Sequence, residues 1–210
     1  MRRLLTLFCL ISSFVFASAQ EQTTQLTLFN SFKPAVIHMA SGKDIKHPLA
    51  NISLKKADLL YLQGSFTMEA NMDRILGVEI SGKRFIKIGN QLAECLDTVG
   101  TNQLFCISII DMPAFEQQQK NNKNITNLDL SNNQTSYATI DLEPEDDRTL
   151  PLIRVFYYRY NNEIIKVHER EIKRRVAKEK MHMYKSILAL PDFSWTRRES
   201  LIKLLKAISD

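Results

Sequence analysis

The chain has 210 residues, 44% of them hydrophobic and 24% charged, with a formal net charge of +5. That is enough apolar content for a real core and too much for a disordered chain. The charge is too modest and too mixed for a nucleic-acid binder, and six glycines leave little room for phosphate-cradling loops.

The N-terminus carries an export-signal pattern. Arg2 and Arg3 form a positive start and Leu4 to Phe16 is a nearly unbroken apolar run. Ala17-Ser18-Ala19 then places small residues at both positions a signal peptidase reads. Cleavage between Ala19 and Gln20 is expected, leaving a mature chain of 191 residues with net charge +3 that folds outside the cytoplasm, periplasmic or secreted. The run is too short for a membrane-spanning helix, which needs about 20 apolar residues. Beyond it the best apolar stretch, Leu104 to Ile110, is strand-sized. Cys9 follows Phe8 inside the run, whereas a lipoprotein cysteine follows a small residue at its end, so neither a lipid anchor nor a transmembrane anchor is expected.

From 24 to 110 the pattern is that of an antiparallel β module, sandwich-like or barrel-like. Leu26-Thr27-Leu28-Phe29, Ala35 to Met39 and Asp58 to Leu62 are short apolar runs between turn residues, and Val78 to Ile80 and Phe85 to Ile88 flank the turn Ser81-Gly82-Lys83. Gly64, Gly77, Gly89 and Gly100 punctuate at roughly the ten-residue spacing of such folds. Cys95 and Cys106 lie equidistant from Gly100-Thr101, so a hairpin turning there places them opposite each other. They are a candidate disulfide, permitted by an exported compartment, or else two small apolar residues paired across strands. Two cysteines without a nearby histidine give zinc too few ligands.

Residues 111 to 150 break the pattern. Gln117 to Gln119, Asn121-Asn122, Asn132-Asn133 and the acidic run Asp141 to Asp147 form a polar loop or linker, with one short strand around Tyr137 to Ile140. The acidic run lacks the glycine turn and closing glutamate of a calcium loop, so it reads as solvated. The N-glycosylation patterns at Asn51, Asn124 and Asn133 read as chance matches.

Order resumes at 151. Ile153 to Tyr160 and Ile164 to His168 form a hairpin about Asn161-Asn162, which either joins the first sheet or stands as a small second unit. A helix is predicted over Glu169 to Leu190, with Ile172, Val176, Met183, Ile187 and Leu190 as its apolar stripe. Thr196 and Glu199 form a capping box before a last helix that buries Leu201, Leu204, Leu205 and Ile208. The fold class is therefore α+β, a mostly antiparallel sheet followed by a hairpin and two helices.

The residues Phe32, Ala35-Val36, Gly42, Asn51, Ile75, Val78, Ile80 and Phe85, with the tail Leu190-Pro191-Asp192-Phe193-Ser194-Trp195 and Glu199 to Ile208, carry a resemblance. Together they resemble uncharacterised exported proteins of Bacteroidota that join a strand-rich module to a two-helix ending. The resemblance implies compartment and fold, and carries over no catalytic residue.

None of the histidines His38, His47, His168 and His182 has metal-ligand spacing, and no nucleophile elbow or dinucleotide fingerprint occurs. His38 reads as a partly buried sheet residue, His47 as a loop residue and Trp195 as a packing anchor. Arg170, Arg174, Lys178 and Lys185 fall on one side of the predicted helix, a candidate face for an anionic partner. No cofactor, metal or catalytic set is expected. The leading expectation is an exported, non-enzymatic binding or interaction protein of the cell envelope. The alternatives are a hydrolase of envelope polymers built from scattered residues, and a protein that uses its basic helix on anionic surfaces.

Overall fold

The computed structural model describes residues 26–121 and 150–209. The expected export signal, the strand expected near Tyr137, the acidic run from Asp141 and the patterns at Asn124 and Asn133 lie outside them.

Ten strands form one antiparallel sheet: β1 (Lys33–Met39), β2 (Asp44–Ile52), β3 (Leu59–Gln63), β4 (Phe66–Glu69), β5 (Ile75–Ile80), β6 (Lys83–Ile88), β7 (Gln91–Val99), β8 (Asn102–Ile110), β9 (Leu152–Tyr160) and β10 (Glu163–Lys166). Their order is β10-β9-β8-β7-β6-β5-β1-β2-β3-β4. The fold is α+β as the sequence predicts, but the sheet stays open rather than closing into a barrel. The C-terminal hairpin extends the first sheet, since β9 pairs with β8 from Gln103↔Arg159 to Ile110↔Leu152. At the end of that ladder the Asp111 N–H donates to Pro151 O at 2.8 Å, so the long connection leaves and returns at one point.

Local chemistry explains the turns. Ser81-Gly82 and Asn161-Asn162 all have positive φ, as two-residue type I′ hairpins require. Gly77 serves a different purpose: a methyl group there would lie 2.4 Å from the Phe85 carbonyl oxygen of the neighbouring strand. Only a residue without Cβ permits that approach. β2 escapes the sequence reading because Asp44, Lys46 and Pro48 make its first half polar and exposed, while only Ala50, Asn51 and Ile52 are buried. His47 therefore lies in a strand, not in a loop.

One face of the sheet carries two cores. Ala35, Ile37, Ala50, Ile52, Leu59, Val78, Ile80, Phe85 and Leu92 pack together where β1 to β7 curl. The curl is pinned by the corner between β2 and β3. Leu92 N–H donates to Ala57 O at 2.6 Å, and Ile110 N–H to Leu54 O at 2.8 Å, so the corner docks on both β7 and β8. Residues 26–29, read as a strand, contribute only the bridge Thr27↔Ser53. Instead the fully buried Asn51 amide holds this segment: Oδ1 accepts from Phe29 N–H at 3.1 Å, and Nδ2 donates to Phe29 O at 2.8 Å and Ser31 O at 3.2 Å. So placed, Asn51 offers no acceptor for a glycan.

The second core covers β8 and β9 with helices α2 (Glu169–Lys173), α3 (Met181–Leu188) and α4 (Arg198–Ser209). Leu201, Leu204, Leu205 and Ile208 are buried as the periodicity predicts, against Leu104, Phe156, Tyr158 and Tyr160. Tyr158 Oη donates to Leu201 O at 2.6 Å and Tyr160 Oη to Ile208 O at 3.0 Å, clasping α4 to the sheet. Burial pushes the Tyr158 hydroxyl far above its ordinary range, so it remains a donor. Trp195 packs at the margin, edge-on to Phe193 at 5.0 Å between ring centroids.

Three helical expectations need correction. The predicted helix over 169–190 is broken, because α2 ends at Lys173 and Ala177 is extended, with a 3-10 turn at Lys178–Lys180 before α3. The residues three and four beyond the buried Val176 are Glu179 and Lys180, so a continuous helix would turn charge into the core. Tyr184 fills the core instead, and Met183 is exposed. Thr196 does not cap α4: Arg197 O accepts from Leu201 N–H, and Ser200 Oγ accepts from Ser194 N–H at 3.2 Å. Finally, α1 (Met112–Asn121) occupies the start of the presumed linker. Asp111 Oδ1 accepts from Ala114 N–H at 3.2 Å, and Phe115 packs on Leu26, Leu54 and Ile110.

If sheet and helices form one cooperative body, Leu204→Ala should cost about 2–5 kcal/mol. Urea unfolding followed by Trp195 fluorescence and by far-ultraviolet dichroism should shift together. Separate transitions would show the helices to be an independent unit.

Candidate functional site

The face of β1, β2 and β5 turned away from the core carries a shallow cleft of about 510 Å³. Its origin is chemical. Pro34 in β1 and Pro48 in β2 lack the N–H that a ladder needs, and the register jumps from Lys33↔Ala50 to Ala35↔His47. The ladder bulges there, and Leu49 N–H donates to His47 Nδ1 at 3.2 Å. Pro34, Val36 and Pro48 give an apolar floor, bounded by the Ser81-Gly82 turn. Register sets Lys46 and Glu79 on either side of Val36, one on each flanking strand.

His38, one alternating position along β1 from Val36, fastens this face. Its Nδ1 lies 2.8 Å from Asp44 Oδ1, and its Nε2 lies 3.8 Å from Glu79 Oε1. The imidazole thus ties β2 and β5 to β1, which agrees with its reading as a partly buried sheet residue. The other histidines are dispersed. His47 stacks edge-on to Tyr61 at 5.2 Å, His168 Nδ1 accepts from Arg170 N–H at the start of α2, and His182 is exposed on α3. Among the described residues no three histidine, cysteine or acidic side chains converge as metal ligands.

The candidate disulfide is not present. The hairpin does turn at Gly100-Thr101, with Val99↔Asn102, but a bulge between Cys95 and Asp97 shifts the register to Cys95↔Phe105 and Glu94↔Cys106. One extra residue sends the two sulfurs to opposite faces. Cys106 is buried under the helices, while Cys95 is half-buried on the other face with Arg84 Nη2 3.4 Å from its sulfur. Burial pushes the Cys106 thiol up, with Glu94 adding to the effect and Ser108 and Arg154 opposing it.

The candidate basic face is also dismantled. Arg170 lies in α2, Arg174 just past its end, Lys178 in the 3-10 turn and Lys185 in α3, so no single helix presents all four. Arg174 is paired with Glu171. Arg175, which the sequence reading did not single out, is the centre of the local network, 2.7 Å from Glu163 and 2.8 Å from Glu171. Arg175 holds Glu163 below the usual carboxylate range, and Arg174, followed by Arg175, does the same for Glu171.

Two further features were illegible in the sequence. At the end of the sheet, β4 presents Phe66 with 72% of its surface exposed, beside Met68, which pairs with Tyr61 of β3. At the β2–β3 corner the Asp58 side chain is buried and its Oδ1 has no hydrogen-bond partner among the described residues. Desolvation pushes the Asp58 carboxyl above its ordinary value and Glu69 adds to it, against the backbone, Lys56 and Ser53. No helix of the described residues is long and apolar enough to cross a membrane. Comparison of the chain with protein-family models, curated proteins and solved structures found no match.

Both thiols should count as free by thiol titration. Cys95 should react in the native protein and Cys106 only on unfolding, whereas an intact mass 2 Da short of the reduced chain would show a bond. For Asp58 the sign runs through linkage. A carboxyl raised by folding destabilises the fold when ionised, above its folded-state value, and this effect disappears as pH falls below the unfolded value. The melting temperature of the wild type should therefore rise relative to Asp58→Asn between pH 7 and pH 4. A constant difference would remove Asp58 as a buried, destabilised charge.

Proposed function

We propose that this chain is an exported, non-enzymatic binding protein of a bacterial cell envelope that holds a partner protein at the β4 edge. Export rests on the N-terminal pattern of Arg2 and Arg3, the apolar run and Ala17-Ser18-Ala19. Binding rests on one observation: the edge strand ends the sheet with Phe66 and Met68 exposed.

Edge strands carry unpaired backbone donors and acceptors, and native proteins blunt them with charge, proline or a covering element. β10 at the other edge follows that practice, with Glu163 tied to Arg175 and α2 packed beside it. β4 does not. Its backbone offers a ladder to an extended segment, and Phe66, Met68 and Tyr61 offer apolar contact on one side of that ladder. A partner segment adding there would alternate apolar and polar residues, its apolar set meeting Phe66 and Met68.

Two measurements separate the parts of this reading. Protein recovered from the native cell should lie outside the cytoplasm and begin at Gln20 by mass, and a Met1-containing cytosolic form would overturn export. In the exported protein, benzoylphenylalanine at position 66 should give a discrete photo-adduct with an envelope protein, and the same group at Lys203 on α4 should not. Phe66→Asp should abolish binding of that adduct partner while leaving the melting temperature within about 2 °C, since an exposed side chain contributes little to stability. The absence of any discrete adduct at position 66 would overturn the β4 surface.

A further inference from the structure

The geometry points to a second binding site, independent of β4: the cleft across β1, β2 and β5 takes a free dipeptide, with its carboxylate on Lys46 and its amine on Glu79. Three observations carry it. The cleft is built into the backbone, because it lies where Pro34 and Pro48 flank the bulge that shifts the register of β1 and β2. A slow loop rearrangement is not needed to form it.

The charges flanking it are opposite and set by register. Val36 pairs with Lys46 on one side and Glu79 on the other, which puts their Cα atoms about 10 Å apart across two strand spacings. Both side chains are long and exposed, so each can turn inwards over Val36. Among the described residues Lys46 makes no ion pair. Glu79 is steadied from one side by His38 at 3.8 Å, and His38 in turn by Asp44.

The floor is apolar and small-featured. Pro34, Val36 and Pro48 suit a short aliphatic side chain such as that of alanine and give a purely anionic or cationic ligand nothing to neutralise its second neighbour. A ligand with one charge would engage only one of Lys46 and Glu79, whereas a zwitterion engages both. Complementarity therefore selects a molecule that carries both charges within one peptide unit.

The test uses the mature protein and three probes: L-alanyl-L-alanine, its N-acetyl derivative and its C-terminal amide. The free dipeptide should shift the Val36 and Gly82 resonances saturably. Blocking either end should weaken binding about tenfold, the loss of one charge-assisted hydrogen bond. Lys46→Gln should make the acid and the amide equivalent, and Glu79→Gln should do the same for the free and acetylated amines. Both side chains are exposed, so the variants should fold as the wild type does, which the same spectra report. No saturable shift at concentrations on the order of 10 mM, or equal binding of all three probes, overturns the site. Neither result bears on β4, whose partner would still be captured at position 66.

Discussion

The fold turns on two backbone hydrogen bonds at the corner between β2 and β3. Leu54 and Ala57 give their carbonyls to Ile110 and Leu92, strands far away in the order of the sheet. That docking also buries Ala57 against Ala93, Phe105 and Ile107 on the other face of the sheet. With it, β1 to β7 curl round Val78, Ile80 and Phe85, and the face that carries the two cores is divided into a self-covered part and a part that needs the helices. The corner bears strain to do this. Ala57 sits at φ +56°, and Asp58 keeps a buried oxygen without a hydrogen-bond partner among the described residues. Ser53 supplies the local compensation, its hydroxyl accepting from Lys55 N–H and Lys56 N–H.

The same division places the surfaces that remain for binding. The inner face of β8 and β9 is spent on α4, clasped by the hydroxyls of Tyr158 and Tyr160. The β10 edge is spent on α2 and the Arg175 network. Among the described residues, the outer face of β1, β2 and β5, with its bulge flanked by two prolines, and the edge at β4 carry no helix. Both belong to the curled half of the molecule, remote from the basic C-terminal segment in the order of the sheet.

Charge near α2 and α3 shows how little a helical wheel says when the helix is interrupted. Arg174, read as one member of a basic face, is paired with Glu171 three residues earlier. Arg175, one residue on, joins Glu163 of β10 to Glu171 of α2 and so connects strand to helix. Its role depends on the hairpin turning back beside the helix, which no spacing along the chain expresses.

The sequence by itself determined what depends on near neighbours. Alternation and turn chemistry marked β1, β5, β6 and the β9–β10 hairpin, Ser81-Gly82 and Asn161-Asn162 located two type I′ turns, and four leucines and isoleucines at helical spacing located α4. These are local because a side chain's direction follows from periods of two or 3.6 residues. Tertiary structure decided the rest. β2 and β4 are strands because their backbones have partners, although their side chains are largely polar or exposed. Cys95 and Cys106 part company because one bulge reverses the face of every residue beyond it. The cleft lies where two prolines fourteen positions apart in the chain flank one bulge between neighbouring strands. Register between distant strands is a long-range quantity, set by which apolar faces can be buried together, and it is written in no single stretch of residues.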